Sequence, residues 1–254
     1  KVGDMGTFLF QGTNMDLSIV MEASAEKFET QIVDVNASEP TGFAAAELKS
    51  IREILLQTER YSGSIQKALS VPFAQSKLYP EKGQNPLADQ LKTVAKLIIG
   101  GLQTSVYHVD LGGFDTHSLQ VDSTDTTKGS HADLLSQLSQ ALVAFWDDVT
   151  KLRMEDEITA MTFSEFGRRI ASNSAHGTDH GAAQPLMFLG AGVRPGIIGV
   201  NPQIPEQVSN SDNLTMQFDY RSVYASILKH WMGADPLQMS STLQREFTLL
   251  NIIK

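Results

Sequence analysis

An amphipathic helical pattern between two β-rich runs constrains the fold of this chain more than any other feature. Apolar residues recur at helical spacing from Ser130 to Leu152, and Asp133 completes the spacing of a capping box with Ser130. A run rich in β-branched and aromatic residues at 105–111 precedes this helix, and a second such run at 158–163 follows it. A helix of this length between two strands is typical of the crossover in a parallel sheet. The pattern therefore predicts an α/β fold.

Further elements fit this class. Asn85-Pro86 predicts a helix start, because Asn caps helices and Pro suits their first turn, and Gly100-Gly101 predicts the end of that helix. The run at 185–189 predicts a third strand. Asp219 predicts the cap of a later helix that ends near Gly233.

The length of the chain favours one domain. It has 254 residues, which suits a single α/β domain, and no repeat, low-complexity tract or charge block marks a linker. We therefore expect one domain over residues 1–254, with residues 1–85 less regular or, as an alternative, folded as an irregular subdomain. The chain begins with Lys1 rather than Met, so we also expect that an N-terminal part of the full protein is absent.

Composition excludes several functions. With 29 acidic and 20 basic residues, the net charge is −9, which repels nucleic-acid phosphates, and we find no basic stripe, so we expect no nucleic-acid partner. The absence of cysteine excludes thiolate metal sites, disulfides and cysteine nucleophiles. No apolar run reaches the roughly 18 residues of a membrane span.

Three polar motifs stand where ligands bind in such folds. The strand at 105–111 leads into Gly112-Gly113-Phe114-Asp115-Thr116-His117, and the strand at 158–163 leads into Ser164-Glu165-Phe166-Gly167-Arg168. The third motif is Gly177-Thr178-Asp179-His180-Gly181. Because parallel strands open their carboxyl ends on one edge of the sheet, we expect all three motifs to meet there.

These motifs predict a divalent metal site. Neutral imidazole and carboxylate oxygen are ligands for hard to borderline metals, and Arg168 offers a planar fork for phosphate or sulfate. The candidate metal ligands are Asp115, His117, Glu165, Asp179 and His180.

Structural interpretations of the same residues remain open. Asp115 and Asp179 have the sequence setting of turn-capping residues. Glu165 and Arg168 have the spacing of an ion pair that fixes a loop. If these structural interpretations hold, the four side chains form a structural network that binds no ligand.

The order and spacing of the motifs resemble those of the DUF1501 family, a group of mostly exported bacterial proteins related to the alkaline phosphatase and sulfatase superfamily. A fourth matching element is Asp219-Tyr220-Arg221-Ser222-Val223-Tyr224. The resemblance is strong over about residues 86–234. It implies a three-layer α/β/α sandwich around a mainly parallel sheet, of the alkaline phosphatase type, without the N-terminal strand of that fold.

The resemblance also implies a function. It implies metal-assisted hydrolysis of a phosphate or sulfate ester, on a small molecule or a polysaccharide, with zinc, calcium or manganese and a periplasmic or extracellular location. Glu165 and Arg168 match family positions that make them candidate catalytic residues. Active superfamily members have Asp-His-Gly where this chain has Glu165-Phe166-Gly167, so an alternative is a degenerate member that binds a ligand or polysaccharide without hydrolysing it.

Overall fold

The structure is a computed structural model that describes residues 61–254. The part of the less regular region that precedes residue 61 therefore lies outside the described residues. After a helical stretch at residues 61–69, the elements are α1 (Pro86–Ile99), α2 (Ser130–Leu152), β1 (Ala160–Met161), β2 (Gly167–Arg168), β3 (His180–Gly181), β4 (Phe188–Leu189), α3 (Tyr220–His230) and α4 (Pro236–Leu243).

The chain divides into two compact units. Among the described residues, the first comprises 61–111 together with Gln137–Asp148, and the second comprises Gly112–Ser136 and Val149–Lys254. Helix α2 contributes residues to both units. The single domain expected from the sequence stays a prediction.

The first unit has a helical core. Helix α1 begins at Pro86, where the Asn85 side chain accepts a hydrogen bond from the Ala88 N–H, as the sequence predicts. Asn85 is itself buried, and its Nδ2 donates to the Gln137 carbonyl at 2.9 Å. A small apolar cluster of Ile65, Ala68 and Leu97 lies in this unit. One face of α1 is apolar and buried, since its buried residues include Leu87, Leu91, Val94 and Leu97.

Residues 105–111 form no strand in the structure, contrary to the prediction. A side chain takes the place of a partner strand at Asp110. Gln90 Nε2 donates to the Asp110 carbonyl at 2.8 Å, and the Asp110 N–H donates to Gln90 Oε1 at 3.0 Å. One amide therefore satisfies both main-chain groups that a β ladder would use.

Helix α2 has the predicted bounds, but its N-terminus is not capped as predicted. Gly129 is its N-cap residue and makes no side-chain capping bond. The Ser130 hydroxyl instead donates to the Leu119 carbonyl at 2.9 Å. The capping box predicted for Ser130 and Asp133 is therefore wrong, because a tertiary contact takes the hydroxyl. No helix within residues 61–254 combines the length and apolar character needed to cross a bilayer.

The second unit contains two small sheets, each an antiparallel pair. Strands β1 and β4 pair through Ala160 with Leu189 and Met161 with Phe188. Strands β2 and β3 pair through Gly167 with Gly181 and Arg168 with His180. The runs at 158–163 and 185–189 thus contain strands shorter than predicted.

The two sheets have different surroundings. Met161 and Phe188 of the β1–β4 sheet pack against a cluster of buried apolar residues formed by Val223, Ile252 and Ile253. The β2–β3 sheet carries the polar motifs. A three-layer sandwich around a mainly parallel sheet stays a prediction, since the strands described here form only these two antiparallel pairs.

Candidate metal centre

Three of the predicted ligands converge. One ligand atom from each of Asp115, His117 and His180 lies within 4.8 Å of the other two. Asp115 Oδ1 is 2.7 Å from His180 Nε2 and 3.0 Å from His117 Nε2. The two Nε2 atoms are 3.1 Å apart. The three side chains are exposed, so this group, which we call the ligand triad, is open to solvent.

The triad comes from one turn and one strand. His180 is a strand residue of β3, opposite Arg168 of β2. Asp115 and His117 lie in a tight turn, where the Thr116 N–H donates to the Phe114 carbonyl at 2.9 Å. Because His117 is two residues after Asp115, the turn directs both side chains to the same point.

Arg168 connects the loops that carry the ligands. Its Nη1 donates to the Thr178 carbonyl at 2.5 Å, and its Nη2 donates to the Phe114 carbonyl. Nη2 also lies 3.7 Å from Asp115 Oδ1. The guanidinium thus binds the main chain one residue before Asp115 and two residues before His180. Its planar fork, which suits two acceptors at once, is occupied by carbonyl groups.

A glutamine reinforces the same connection. Gln120 Oε1 accepts from the Thr116 hydroxyl at 3.0 Å and from the Thr178 hydroxyl at 2.7 Å. Thr116 is buried. These two hydroxyls therefore serve as donors within the structure, and they tie the Asp115 turn to the segment before β3.

Asn173 organises the loop between β2 and β3. Its Oδ1 accepts from the Ala175 N–H at 3.0 Å and the Gly177 N–H at 3.1 Å. Its Nδ2 donates to the His117 carbonyl at 2.8 Å. Any Cβ at Gly177 would overlap the main chain of His117, which explains why glycine stands at this close approach.

An aromatic ring supports His180. The Phe166 ring stacks on the His180 imidazole, with the ring centroids 3.8 Å apart and an interplanar angle of 11°. The Arg168 guanidinium lies 5.0 Å from the centroid of the same Phe166 ring. Phe166 stands where the resemblance implies a missing imidazole ligand, and in the structure it fixes the orientation of an imidazole that is present.

Asp179 lies on the other side of the His117 ring. Its Oδ1 is 3.3 Å from His117 Nδ1 and accepts from Asn173 Nδ2 at 3.3 Å. It is therefore beside the triad but does not share the triad's central point. Neither Asp179 nor Asp115 acts as a turn cap among the described residues, since the side-chain contacts of both involve histidine, arginine or asparagine side chains.

Glu165 is not part of the group. Its side chain is exposed, and the triad is composed of Asp115, His117 and His180. The ion pair between Glu165 and Arg168 that the sequence left open is not formed in the described part of the chain, where Arg168 instead binds carbonyl groups and approaches Asp115.

Hydrogen bonds lower the pKa of both aspartates and so favour their ionised form. The hydrogen bond from His180 is the main cause that lowers the pKa of Asp115, and the charges of His117, His180 and Arg168 lower it further. The pKa of Asp179 is lowered mainly by the hydrogen bond from Asn173 and then by the one from His117. Ionised carboxylates are the form that binds a cation.

The triad fits a divalent ion. Two atoms that each lie about 2.1 Å from one ion are about 3.0 Å apart at an octahedral angle and about 3.4 Å apart at a tetrahedral angle. The observed separations of 2.7, 3.0 and 3.1 Å are close to these values. Two nitrogens and one carboxylate oxygen suit zinc, manganese or iron better than calcium, which prefers sites made of oxygen alone.

Sequence reasoning missed the residues that hold the triad in place. Arg169, Gln120 and Asn173 make contacts between loops, and such contacts leave no local pattern. Arg169 Nε donates to the His180 carbonyl at 3.2 Å and its Nη1 donates to the Asn210 carbonyl at 2.6 Å. Phe166, which stacks on His180, is the supporting residue with a usable sequence signal, because it alternates with Arg168 just after a predicted strand.

Comparison with known proteins gives a family. The chain matches the sequence profile described as "Protein of unknown function (DUF1501)" over residues 20–250, and it belongs to this family. The match extends well beyond the residues 86–234 that carry the motif resemblance. Neither the curated proteins nor the solved structures give a match to the chain.

Proposed function

We propose that the ligand triad binds one divalent metal ion and that the chain uses this ion to hydrolyse phosphate or sulfate esters. The convergence of Asp115, His117 and His180 on one point carries the proposal. The proposal includes kinship with alkaline phosphatases and sulfatases, their three-layer sandwich fold, and a periplasmic or extracellular location.

Each residue of the site has a separate role in this proposal. Asp115, His117 and His180 would hold the ion, which when bound polarises an ester oxygen and lowers the pKa of a bound water. Their exposure leaves room for water and substrate beside the ion. Arg168 keeps the two ligand-bearing loops together, and its position near Asp115 also makes it a candidate contact for the anionic group. Glu165, which is exposed beside β2, is the candidate catalytic carboxylate.

The proposal is tested by metal binding and turnover in the same preparation. The chain is stripped of metal, titrated with Zn²⁺ or Mn²⁺, and assayed with an aryl phosphate and an aryl sulfate. We expect one ion per chain, turnover of at least one ester, and loss of both in His180→Ala. Removal of a ligand should weaken binding by more than about 100-fold, beyond the range for outer contacts of a metal site.

His230→Ala is the matched control. His230 is an exposed residue of α3, so the same substitution there removes an imidazole without touching the triad. Metal affinity and turnover should match those of the unaltered chain. A chain that binds neither metal would contradict the proposal at its first step.

A second candidate function is ligand binding without hydrolysis. The observation that favours it is the occupation of Arg168 by the Thr178 and Phe114 carbonyls, which leaves the fork less free to bind an anion. A cavity of about 470 Å³ in the second unit is lined by apolar residues, by the carboxylate of Asp212 and by polar uncharged side chains such as Asn201, Gln203 and Thr215. Side-chain amides and hydroxyls are suited to bind the hydroxyl groups of a polysaccharide.

The two functions give different results in the same assay. Metal binding with turnover that His180→Ala abolishes supports the hydrolase. A chain that turns over neither ester but binds a neutral oligosaccharide, with weaker binding in Asn201→Ala, supports the binding module.

A further inference from the structure

We infer that Asp179 is a positioning residue for His117 rather than a metal ligand: it accepts the Nδ1 proton of His117 and so directs the unprotonated Nε2 toward the ion. This inference rests on the proposed metal site and assigns a different task to one of the ligands that the sequence predicts. It concerns the arrangement of the site before the ion arrives, so it can be tested in metal-free protein.

The geometry of the His117 ring separates the two aspartates. Asp115 Oδ1 lies 3.0 Å from Nε2, whereas Asp179 Oδ1 lies 3.3 Å from Nδ1. The two nitrogens of an imidazole point in diverging directions. An ion bound to Nε2 together with Asp115 and His180 therefore lies on the side of the ring away from the Asp179 carboxylate. For Asp179 to share this ion, the His117 ring would have to leave its present contacts.

The chemistry of the pair determines which nitrogen carries the proton. A neutral imidazole has one N–H and one acceptor nitrogen, and an ionised carboxylate only accepts. The His117–Asp179 contact at Nδ1 has hydrogen-bond geometry, whereas Asp115 lies within ion-pair distance of Nε2 without forming a hydrogen bond to it among the described residues. The proton is therefore held on Nδ1, and the lone pair is left on Nε2. Carboxylates in this relation to a metal-binding histidine fix its tautomer and orientation, and they increase the basicity of the ligand nitrogen.

Asp179 is itself fixed in place. Asn173 Nδ2 lies within hydrogen-bond distance of both Asp179 Oδ1, at 3.3 Å, and the His117 carbonyl, at 2.8 Å. The Asp179 carbonyl accepts from the Arg169 N–H at 3.0 Å. A single amide therefore holds both the main chain of the histidine and the carboxylate that contacts its ring, so the pair behaves as one preorganised unit.

The two histidines of the triad are oriented by different means. His180 is held by the stack on Phe166 and by Asp115 at Nε2. Within residues 61–254, the structure gives Nδ1 of His180 no hydrogen bond. Removal of the Asp179 carboxylate should therefore change the tautomer of His117 and leave that of His180 unaltered. The second histidine thus serves as an internal reference.

The experiment has two readouts. In metal-free protein, long-range ¹H–¹⁵N NMR spectra of the imidazoles report which ring nitrogen carries the proton. We expect His117 to be protonated at Nδ1 in the unaltered chain and predominantly at Nε2 in Asp179→Ala. In the second readout, calorimetric titration with Zn²⁺ should show binding weakened by about 10- to 100-fold in Asp179→Ala, the range for outer partners of a metal site.

Two further variants separate positioning from ligation. Asp179→Asn keeps an acceptor oxygen for the Nδ1 proton but is a poor metal ligand, so a positioning role predicts Zn²⁺ affinity between those of the unaltered chain and Asp179→Ala. A ligand role predicts that the Asn and Ala variants are equally weak. Asp156→Ala removes an exposed aspartate outside the site and should change neither readout.

The outcomes distinguish this inference from the proposed function. Protonation of His117 at Nε2 in the unaltered chain, or an Asp179→Ala variant with unchanged tautomer and affinity, would overturn the inference while leaving the metal site intact. Failure of the unaltered chain to bind Zn²⁺ contradicts the proposed function instead. In that case the NMR spectra of the metal-free protein still decide whether Asp179 directs the His117 tautomer.

Discussion

The two sheets of the second unit are equal in size but differ in what holds them. Each consists of two residue pairs in antiparallel register, and a ladder this short is unstable in water without packing against other elements. The β1–β4 sheet packs through Met161 and Phe188 on an apolar cluster. The β2–β3 sheet is joined to its surroundings by Arg168 and Arg169, which donate to main-chain carbonyls.

This difference separates stability from chemistry. Apolar contacts stabilise a fold without requiring particular angles between the groups. The β1–β4 sheet is therefore suited to act as a scaffold. Hydrogen bonds to named carbonyls fix loops at particular distances and angles, which a metal site requires. Substitutions under the first sheet should therefore change the free energy of unfolding, and substitutions around the second should change metal affinity.

Ile252→Ala should have the largest effect. Ile252 is 3% exposed in the cluster under the β1–β4 sheet, and truncation of a buried isoleucine costs about 2–5 kcal/mol of stability. Denaturant unfolding of metal-free protein measures this loss. Zn²⁺ affinity at low denaturant should stay within about twofold, since a destabilised but folded chain keeps the triad. A parallel loss of affinity would show that the two sheets are not separable.

Arg168→Lys should lower the Zn²⁺ affinity rather than the stability of the chain. Lysine keeps the charge but cannot donate to two carbonyls in the plane of a guanidinium, so the loops at Phe114 and Thr178 lose their common partner. We expect Zn²⁺ affinity to fall by about 10- to 100-fold, as for other supporting contacts of metal sites. Calorimetry measures the affinity, and ester turnover at saturating metal gives the KM.

The KM distinguishes two tasks of Arg168. If its main task is to bind the substrate anion, the lysine variant should keep its Zn²⁺ affinity and show a raised KM for the aryl phosphate. That outcome would contradict the view that polar contacts to carbonyls hold the β2–β3 sheet and its loops together.

Phe166→Leu should have a smaller effect on the same affinity. The stack on His180 orients one ligand, and stacked aromatic pairs contribute about 0.5–1.5 kcal/mol beyond the area they bury. Roughly threefold weaker Zn²⁺ binding is expected, read by the same titration. Phe218→Leu, at a partly exposed phenylalanine elsewhere in the unit, should leave the affinity unchanged. Equal losses of Zn²⁺ affinity in both variants would show that the stack of Phe166 on His180 has no special role.

Acid should weaken the scaffold through the cap of α3. Asp219 accepts from the Arg221 N–H at 2.9 Å and pairs with the Arg221 guanidinium, and these hydrogen bonds lower its pKa to about 2. A carboxylate whose pKa is lowered in the folded state stabilises that state when the pH is above the pKa of the unfolded chain, which is about 3.9. This contribution is lost as the pH falls from that value toward 2.

The corresponding measurement is thermal unfolding between pH 5 and pH 2. Stability should fall as the pH is lowered through this window, and the fall should be shallower in Asp219→Asn, which is less stable at neutral pH. An unchanged slope in Asp219→Asn would mean that other carboxylates dominate the acid response of this unit.

Local signals predicted the helices well. The Asn85 cap, the bounds of α2 and the Asp219 cap are confirmed, because caps and periodic apolar faces act within a few residues. Helix α4 was not predicted, although its sequence carries a signal: Asp235 and Gln238 form a capping box at its start.

Strands and the ligand set were less predictable. A strand depends on a distant partner, and at Asp110 a glutamine side chain takes the partner's place. The motifs correctly brought Asp115, His117 and His180 together. They did not separate Asp179 from the triad or exclude Glu165 from it, because that distinction depends on which ring nitrogen each carboxylate faces and on the path of a loop.

The central claim is that one divalent ion lies against Asp115 Oδ1, His117 Nε2 and His180 Nε2. Its most direct test is an anomalous difference map from crystals of the chain soaked in Mn²⁺ or Zn²⁺. We expect a peak about 2.0–2.2 Å from each of these three atoms, with Asp179 on the far side of the His117 ring. A peak centred on Asp179 and Glu165, or no peak at the triad in metal-saturated crystals, would contradict it.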